Sequence, residues 1–225
     1  MPVRALPSFL LLALAVGCAP DEAPVAEPSE ADRLLARVTE TAVADAFARL
    51  DALDYTATLE TTTGDSTTAL AVRSEGGTVR AAGGAAAEEP PRPRDPIGPA
   101  LPAEPPFVDP ASRDQYRRTV VGDTVVAGRR LRLVEAVLTD AEAEQQVRRV
   151  RAAVEPETAR PVVVEVERAA DSAVYTESSR VRVALAPGPG GAWLPRRVTT
   201  DTRTDVPLAD PVRVRTEWTV RVEGA

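Results

Sequence analysis

The sequence predicts a mainly β, antiparallel domain with one helix at its N-terminal side. Three observations carry this expectation. Beyond position 53 apolar and polar residues alternate with period two in run after run, and short turns marked by Gly, Asp or Pro separate the runs. One stretch, 29–50, instead repeats apolar residues at three- and four-residue steps. No further helical stretch lies between the strands to make parallel crossovers, so consecutive strands are expected to pair antiparallel.

The chain opens with an export pattern. Arg4 precedes the apolar run Phe9 to Val16, which is far shorter than the roughly 20 residues a spanning helix needs. Ala15-Val16-Gly17-Cys18 then resembles the lipobox of bacterial lipoproteins, with Ala15 where leucine is preferred. The resemblance implies a signal peptide over 1–17 and lipid on Cys18, hence attachment to a membrane. The alternative is an ordinary secretory signal that happens to contain a cysteine. Cys18 is the one cysteine of 225 residues, so no internal disulfide forms and stability rests on a packed core. Residues 18–28, polar and rich in proline, read as a flexible tether, and 29–225 as a single domain.

Ser29 after Pro28, followed by Glu30 and Asp32, marks a helix start with acids at the positive end of the dipole. Leu34, Leu35, Val38, Ala42, Ala46 and Leu50, with Phe47 beside them, form one apolar stripe, and the expectation is one amphipathic helix lying on a sheet. Tyr55, Ala57 and Leu59 open the first strand, a second runs through Leu70 and Val72, and a short third covers 78–80. Residues 83–110 carry nine prolines and read as a long insertion, in which Ile97, Leu101, Phe107 and Val108 are apolar enough to dock. A solvated insertion with a few pinned residues and a functional lid both fit. From Gln115 onward strand follows strand. In the last, Val212, Val214, Thr216, Trp218, Val220 and Val222 alternate with Arg213, Arg215, Glu217, Thr219, Arg221 and Glu223, one dry face and one wet. Tyr55 and Tyr116, near strand starts, are expected to bury their rings and leave their hydroxyls in water.

Composition excludes more than it selects. The chain has no histidine, and all 27 basic residues are arginine. Histidine-based nucleophile systems, histidine-bound zinc and lysine Schiff bases are therefore excluded, and arginine is no general base at neutral pH. No catalytic residue, metal ligand or cofactor site is assigned, and an enzyme is not expected. The net charge of −7 is uneven: residues 1–112 hold 8 arginines against 17 acids, while 113–225 hold 19 against 17. No basic block interleaved with aromatics appears, so nucleic acid is not an expected partner. The arginines on wet faces are expected to pair with acids on neighbouring strands, as Arg149 and Arg151 can with Glu165 and Glu167 across one turn.

Several phrases carry a family resemblance: Leu53-Asp54-Tyr55-Thr56-Ala57 opening the first strand, Tyr116 through Val126-Ala127-Gly128-Arg129 before a long strand, the turn Glu155 to Pro161, and Gly191-Ala192-Trp193-Leu194-Pro195 entering a late strand. Over about 30–225 the chain resembles the outer-membrane lipoprotein-sorting family, the LolA/LolB-like domains. The resemblance implies a strongly curved, open β-barrel with the N-terminal helix across it and a concave apolar face that receives acyl chains. A sheet so curved, capped by a helix, can enclose an apolar cavity. Leu131, Leu133, Val183, Leu185, Val214 and Trp218 are candidates to line it, or to fill a solid core instead.

Three functional readings follow. The first is a membrane-anchored envelope lipoprotein that binds or transfers lipid or an acylated protein. The second is a non-catalytic structural or assembly lipoprotein whose surface binds a protein partner. The third, a carboxylate enzyme, needs two facing acids in a cleft, whereas the acids here alternate with arginines on solvent faces. Ala19 after the cysteine, rather than Asp, gives no inner-membrane retention signal. The expected location is the outer membrane, lipid-anchored on the periplasmic side, with the cell surface as the alternative suggested by Asp21-Glu22.

Overall fold

Ser29 starts the folded chain as its neighbours predict. In the computed structural model, which describes residues 27–38, 43–81, 90–101, 105–140, 142–172 and 174–223, its hydroxyl accepts from the Asp32 backbone N–H at 3.1 Å, and the Asp32 carboxylate accepts from the Ser29 N–H at 3.0 Å. This capping box satisfies two orphan donors of the first turn. The expected helix is described as α1 (Glu30–Arg37) and α2 (Val43–Asp51), with 39–42 between them outside the described residues. Leu34, Leu35 and Val38 are buried by the first, and Ala46, Phe47 and Leu50 by the second, so the apolar stripe is the one the spacing predicts. The export segment, Cys18, residues 39–42 and most of the tether lie outside the described residues.

Ten strands follow in one open antiparallel sheet: β1 (Tyr55–Thr63), β2 (Ser66–Glu75), β3 (Thr78–Ala81), β4 (Tyr116–Val126), β5 (Arg129–Leu138), β6 (Val147–Val154), β7 (Pro161–Asp171), β8 (Thr176–Pro187), β9 (Trp193–Asp205) and β10 (Val212–Val222). Their spatial order is β3-β2-β1-β10-β9-β8-β7-β6-β5-β4. The expected curved, open architecture is the one observed. β1 pairs along its length with β10, so the first and last strands meet in mid-sheet.

This order gives the proline-rich segment its role. β3 and β4 are consecutive in sequence but occupy opposite edges, so the chain between them must cross the sheet. It does so as a strap carrying the short helix α3 (Ile97–Ala100), which lies against β7. Ile97, Ala100 and Phe107 are buried, and Leu101 and Val108 pack beside them. The segment is a crossing strap pinned by its few apolar residues, as prolines that cannot join a ladder allow.

The outer face is ionic. The register sets Arg149 opposite Glu167 and Arg151 opposite Glu165, as expected, yet both guanidiniums turn to Glu135 on the other neighbouring strand. Glu167 is taken by Arg180 at 2.7 Å, and Asp201 by Arg213 at 2.9 Å. Pairing was correctly expected, while the choice among adjacent partners depends on rotamers that sequence does not encode.

Candidate functional site

Strand register assembles one apolar row across eight strands of the helix-covered face. Val134, Ala152, Val164, Val183, Val198 and Trp218 are successive cross-strand partners, and Leu59 and Leu70 continue the line. The first six are buried to within 2% of complete. They pack in one cluster with Leu35, Phe47, Leu50 and Phe107 from the cover. α1 lies over β4 and β5, α2 over β9, and the strap's helix over β7.

The cover stops short of one region. In the next row toward the β9–β10 turn, Ala136, Val150, Val166 and Val181 are buried, but the line then continues through Thr200, Thr216 and Thr61, which are half-buried. Along β10 the grading is direct: Trp218 is buried, Thr216 and Val214 are half-buried, and Val212 is exposed. Thr202, opposite Val214, is half-buried too. The result is a half-buried strip on β9, β10 and β1 that bears methyl and hydroxyl groups and becomes more buried toward Trp218. Threonine offers such a wall a methyl surface together with a hydrogen-bonding group. Composition reads these threonines as strand formers; their shared parity with Trp218 is the signal that could have placed them in the site.

The candidates separate accordingly. Val183 and Trp218 belong to the buried row, and Val214 stands toward the exposed end of the strip. Leu185 is buried near α2, where with Ala46, Arg49 and Trp193 it lines a groove of about 180 Å³. Leu131 is fully buried near the start of β5. Leu133, next to Val134 on β5, stands in the row of Ala153 and Val163 and packs, partly buried, against the core cluster.

The N-terminal cover is latched to the sheet by charge. Arg118, opposite Ala136, forms an ion pair with Asp32 at 2.8 Å, and Arg132 donates to Glu30 at 3.0 Å and to Asp123 at 2.9 Å. Partial burial pushes the Asp32 carboxyl upward, but the Ser29 hydrogen bonds and the charges of Arg118 and Arg113 outweigh it and hold the group below its ordinary value. The tyrosines depart from expectation. Tyr116 is buried to its hydroxyl, which donates to the Val147 carbonyl at 2.7 Å, and burial pushes its phenol up to about 12. Tyr55 is fully buried opposite Ser74, its phenol also raised by burial.

No family model and no curated protein matches the chain. Among solved structures it is similar to a domain from Vibrio parahaemolyticus described as outer membrane lipoprotein-sorting, at 13% identity over 76% of this chain and 86% of that one, with a TM-score of 0.32. It is similar to a DUF1329 family protein from Desulfovibrio piger at 13% identity over 87% and 92%, with a TM-score of 0.33. A LolA superfamily protein from Nitrosomonas europaea matches at 10% identity over 82% and 95%, with a TM-score of 0.30.

Proposed function

We propose that this chain is a non-catalytic envelope lipoprotein that holds the acyl chain of a lipid or an acylated protein against the covered face of its sheet. The observation that supports this reading most is the half-buried strip, which we take as the wall of a trough open to an acyl chain: an apolar row eight strands wide, buried under its cover at one side and continued by half-buried Leu59, Thr200, Val214 and Thr216 at the other. Hydrocarbon needs an apolar wall with few polar groups, and the floor of the trough carries no charged side chain among those residues. The cover consists of short helices and a strap rather than a second sheet, so the depth available to a chain is set by small elements that can shift. Lipid on Cys18 anchors the domain to the outer membrane, on its periplasmic side, through the 18–28 tether. No cofactor is required.

The test is extraction. Residues 19–225, purified without the cysteine, are extracted with organic solvent and analysed by mass spectrometry. Fatty-acyl species in stoichiometric amount are expected. Their repeated absence from protein prepared under non-delipidating conditions counts against an acyl carrier.

A further inference from the structure

On the face turned away from the cover, β7 to β10 carry a hollow bordered by arginine. Ala169, Ser178, Arg203 and Arg213 are successive cross-strand partners, and Glu167, Arg180 and Asp201 form the adjacent row two residues along. Side chains alternate along a strand, so both rows stand opposite buried Val166, Val181 and Val198. Ala169 and Ser178 are short and their neighbours are long. The surface sinks between them into a depression of about 430 Å³.

The depression carries excess positive charge. Five arginines line it against two acids, Glu167 and Asp201, and an excess remains when Asp205, the partner of Arg203, is included. Arg180 donates to Glu167, Arg213 to Asp201 and Arg203 to Asp205, each through its Nε and Nη2 atoms at 2.7–3.2 Å. All three guanidiniums use the same edge. Among the described residues their Nη1 groups, with two N–H donors each, take no part in these bonds. The arginine side chains are 57–73% exposed and the three carboxylates 28–41%, so the outermost layer is cationic. Arg203 and Arg213 also face each other directly, a pairing of like charges that repels. An anion shared between them converts that repulsion into attraction.

We infer that this hollow binds a phosphate group. Phosphate accepts paired bonds from a guanidinium and has oxygens enough for more than one arginine, whereas a carboxylate has two in all. The Ser178 hydroxyl supplies a further donor beside them. A soluble phosphate and the headgroup of an anionic lipid present the same chemistry here. The site lies on the face opposite the half-buried strip, so it stands or falls independently of the acyl-binding reading.

The test is calorimetric titration of inorganic phosphate into the full-length chain, held in non-ionic detergent at low ionic strength. Saturable binding is expected. Arg203→Gln should weaken it at least roughly tenfold, while Arg117→Gln, which removes an exposed arginine of β4, should leave it unchanged. Arg203→Gln combined with Asp205→Asn should show the same loss, which separates the missing guanidinium from an uncovered carboxylate; recovered binding there contradicts the site. Circular dichroism establishes that each variant is folded. In a second arm phosphatidylglycerol is added to the micelles in place of phosphate. Binding of that lipid alone, abolished by Arg203→Gln, assigns the phosphate to a headgroup, and binding of inorganic phosphate alone assigns it to a soluble ligand. Binding of neither, equal loss in Arg203→Gln and Arg117→Gln, or acetate binding as tightly as phosphate overturns the inference.

Discussion

Asp32 on α1 and Arg118 on β4 meet at 2.8 Å, and the same carboxylate closes the capping box with Ser29. One side chain thereby both starts the helix and fastens it to the sheet. Both partners are largely shielded, with side chains 25% and 20% exposed, so their attraction is less screened than that of a surface pair. Asp32→Ala is expected to lower stability by about 1–2 kcal/mol, combining a lost cap with a lost ion pair. Urea unfolding checks the total. A double-mutant cycle with Arg118→Ala isolates the latch, and a coupling near zero would show that Asp32 acts on the helix alone.

Acid should loosen the same attachment. Arg213 bonded to Asp201, and Arg130 bonded to Asp123, hold those carboxyls below their ordinary value, as the Ser29 and arginine contacts do for Asp32. A depressed carboxyl contributes stability that is fully present above its unfolded value near 3.9 and is lost as pH falls through its folded value. Stability attributable to these groups is therefore expected to be flat from pH 7 to about 5 and to decline below about 4. A urea midpoint followed against pH checks this, and a steep loss already between 7 and 5 would point to other groups.

Tyr116 gives the opposite pH dependence. Its phenol is raised from 10.0 to about 12, mainly by burial, with Arg148 opposing. Its contribution is complete below pH 10 and is lost as pH rises through about 12. Absorbance at the phenolate band should show the Tyr116 step near pH 12, absent from Tyr116→Phe. Tyr116→Phe is expected to cost about 1 kcal/mol for the lost bond to the Val147 carbonyl.

The trough can be filled without dismantling the core. Thr216→Trp places an indole beside Trp218 where the wall is only half-buried. It is expected to abolish acyl co-purification while costing no more than about 1–3 kcal/mol. Trp218→Ala, at a 2% exposed site, is expected to cost about 3–5 kcal/mol and to compromise the fold itself. Retention of cargo by a folded Thr216→Trp variant would remove the trough from the binding site.

Much of the fold was legible because each strand buries one face. The alternation along β10 identified which residues face inward, and Gly and Pro marked most turns. The site was legible only in part. Val183, Val214 and Trp218 share one face as the alternation suggests, while Leu133 packs, partly buried, in the neighbouring row of Ala153 and Val163, because β5 and its neighbours carry apolar residues on both faces there. The threonines of the trough were hidden in plain composition, because a threonine that forms a strand and one that floors a groove look alike until register places them side by side. The strap's path was also beyond local pattern: it follows from β3 and β4 lying at opposite edges, a consequence of pairing β1 with β10.

Hydrocarbon bound as proposed lies against the half-buried wall formed by β1, β9 and β10. Photo-crosslinking locates it, using a long-chain fatty acid that carries a diazirine in its tail, with the adducts mapped by peptide mass spectrometry. Adducts are expected on Leu59, Thr200, Val214 or Thr216, and unlabelled fatty acid should compete them away. Adducts confined to the arginine-bearing outer face, or spread over the surface without competition, would contradict this placement.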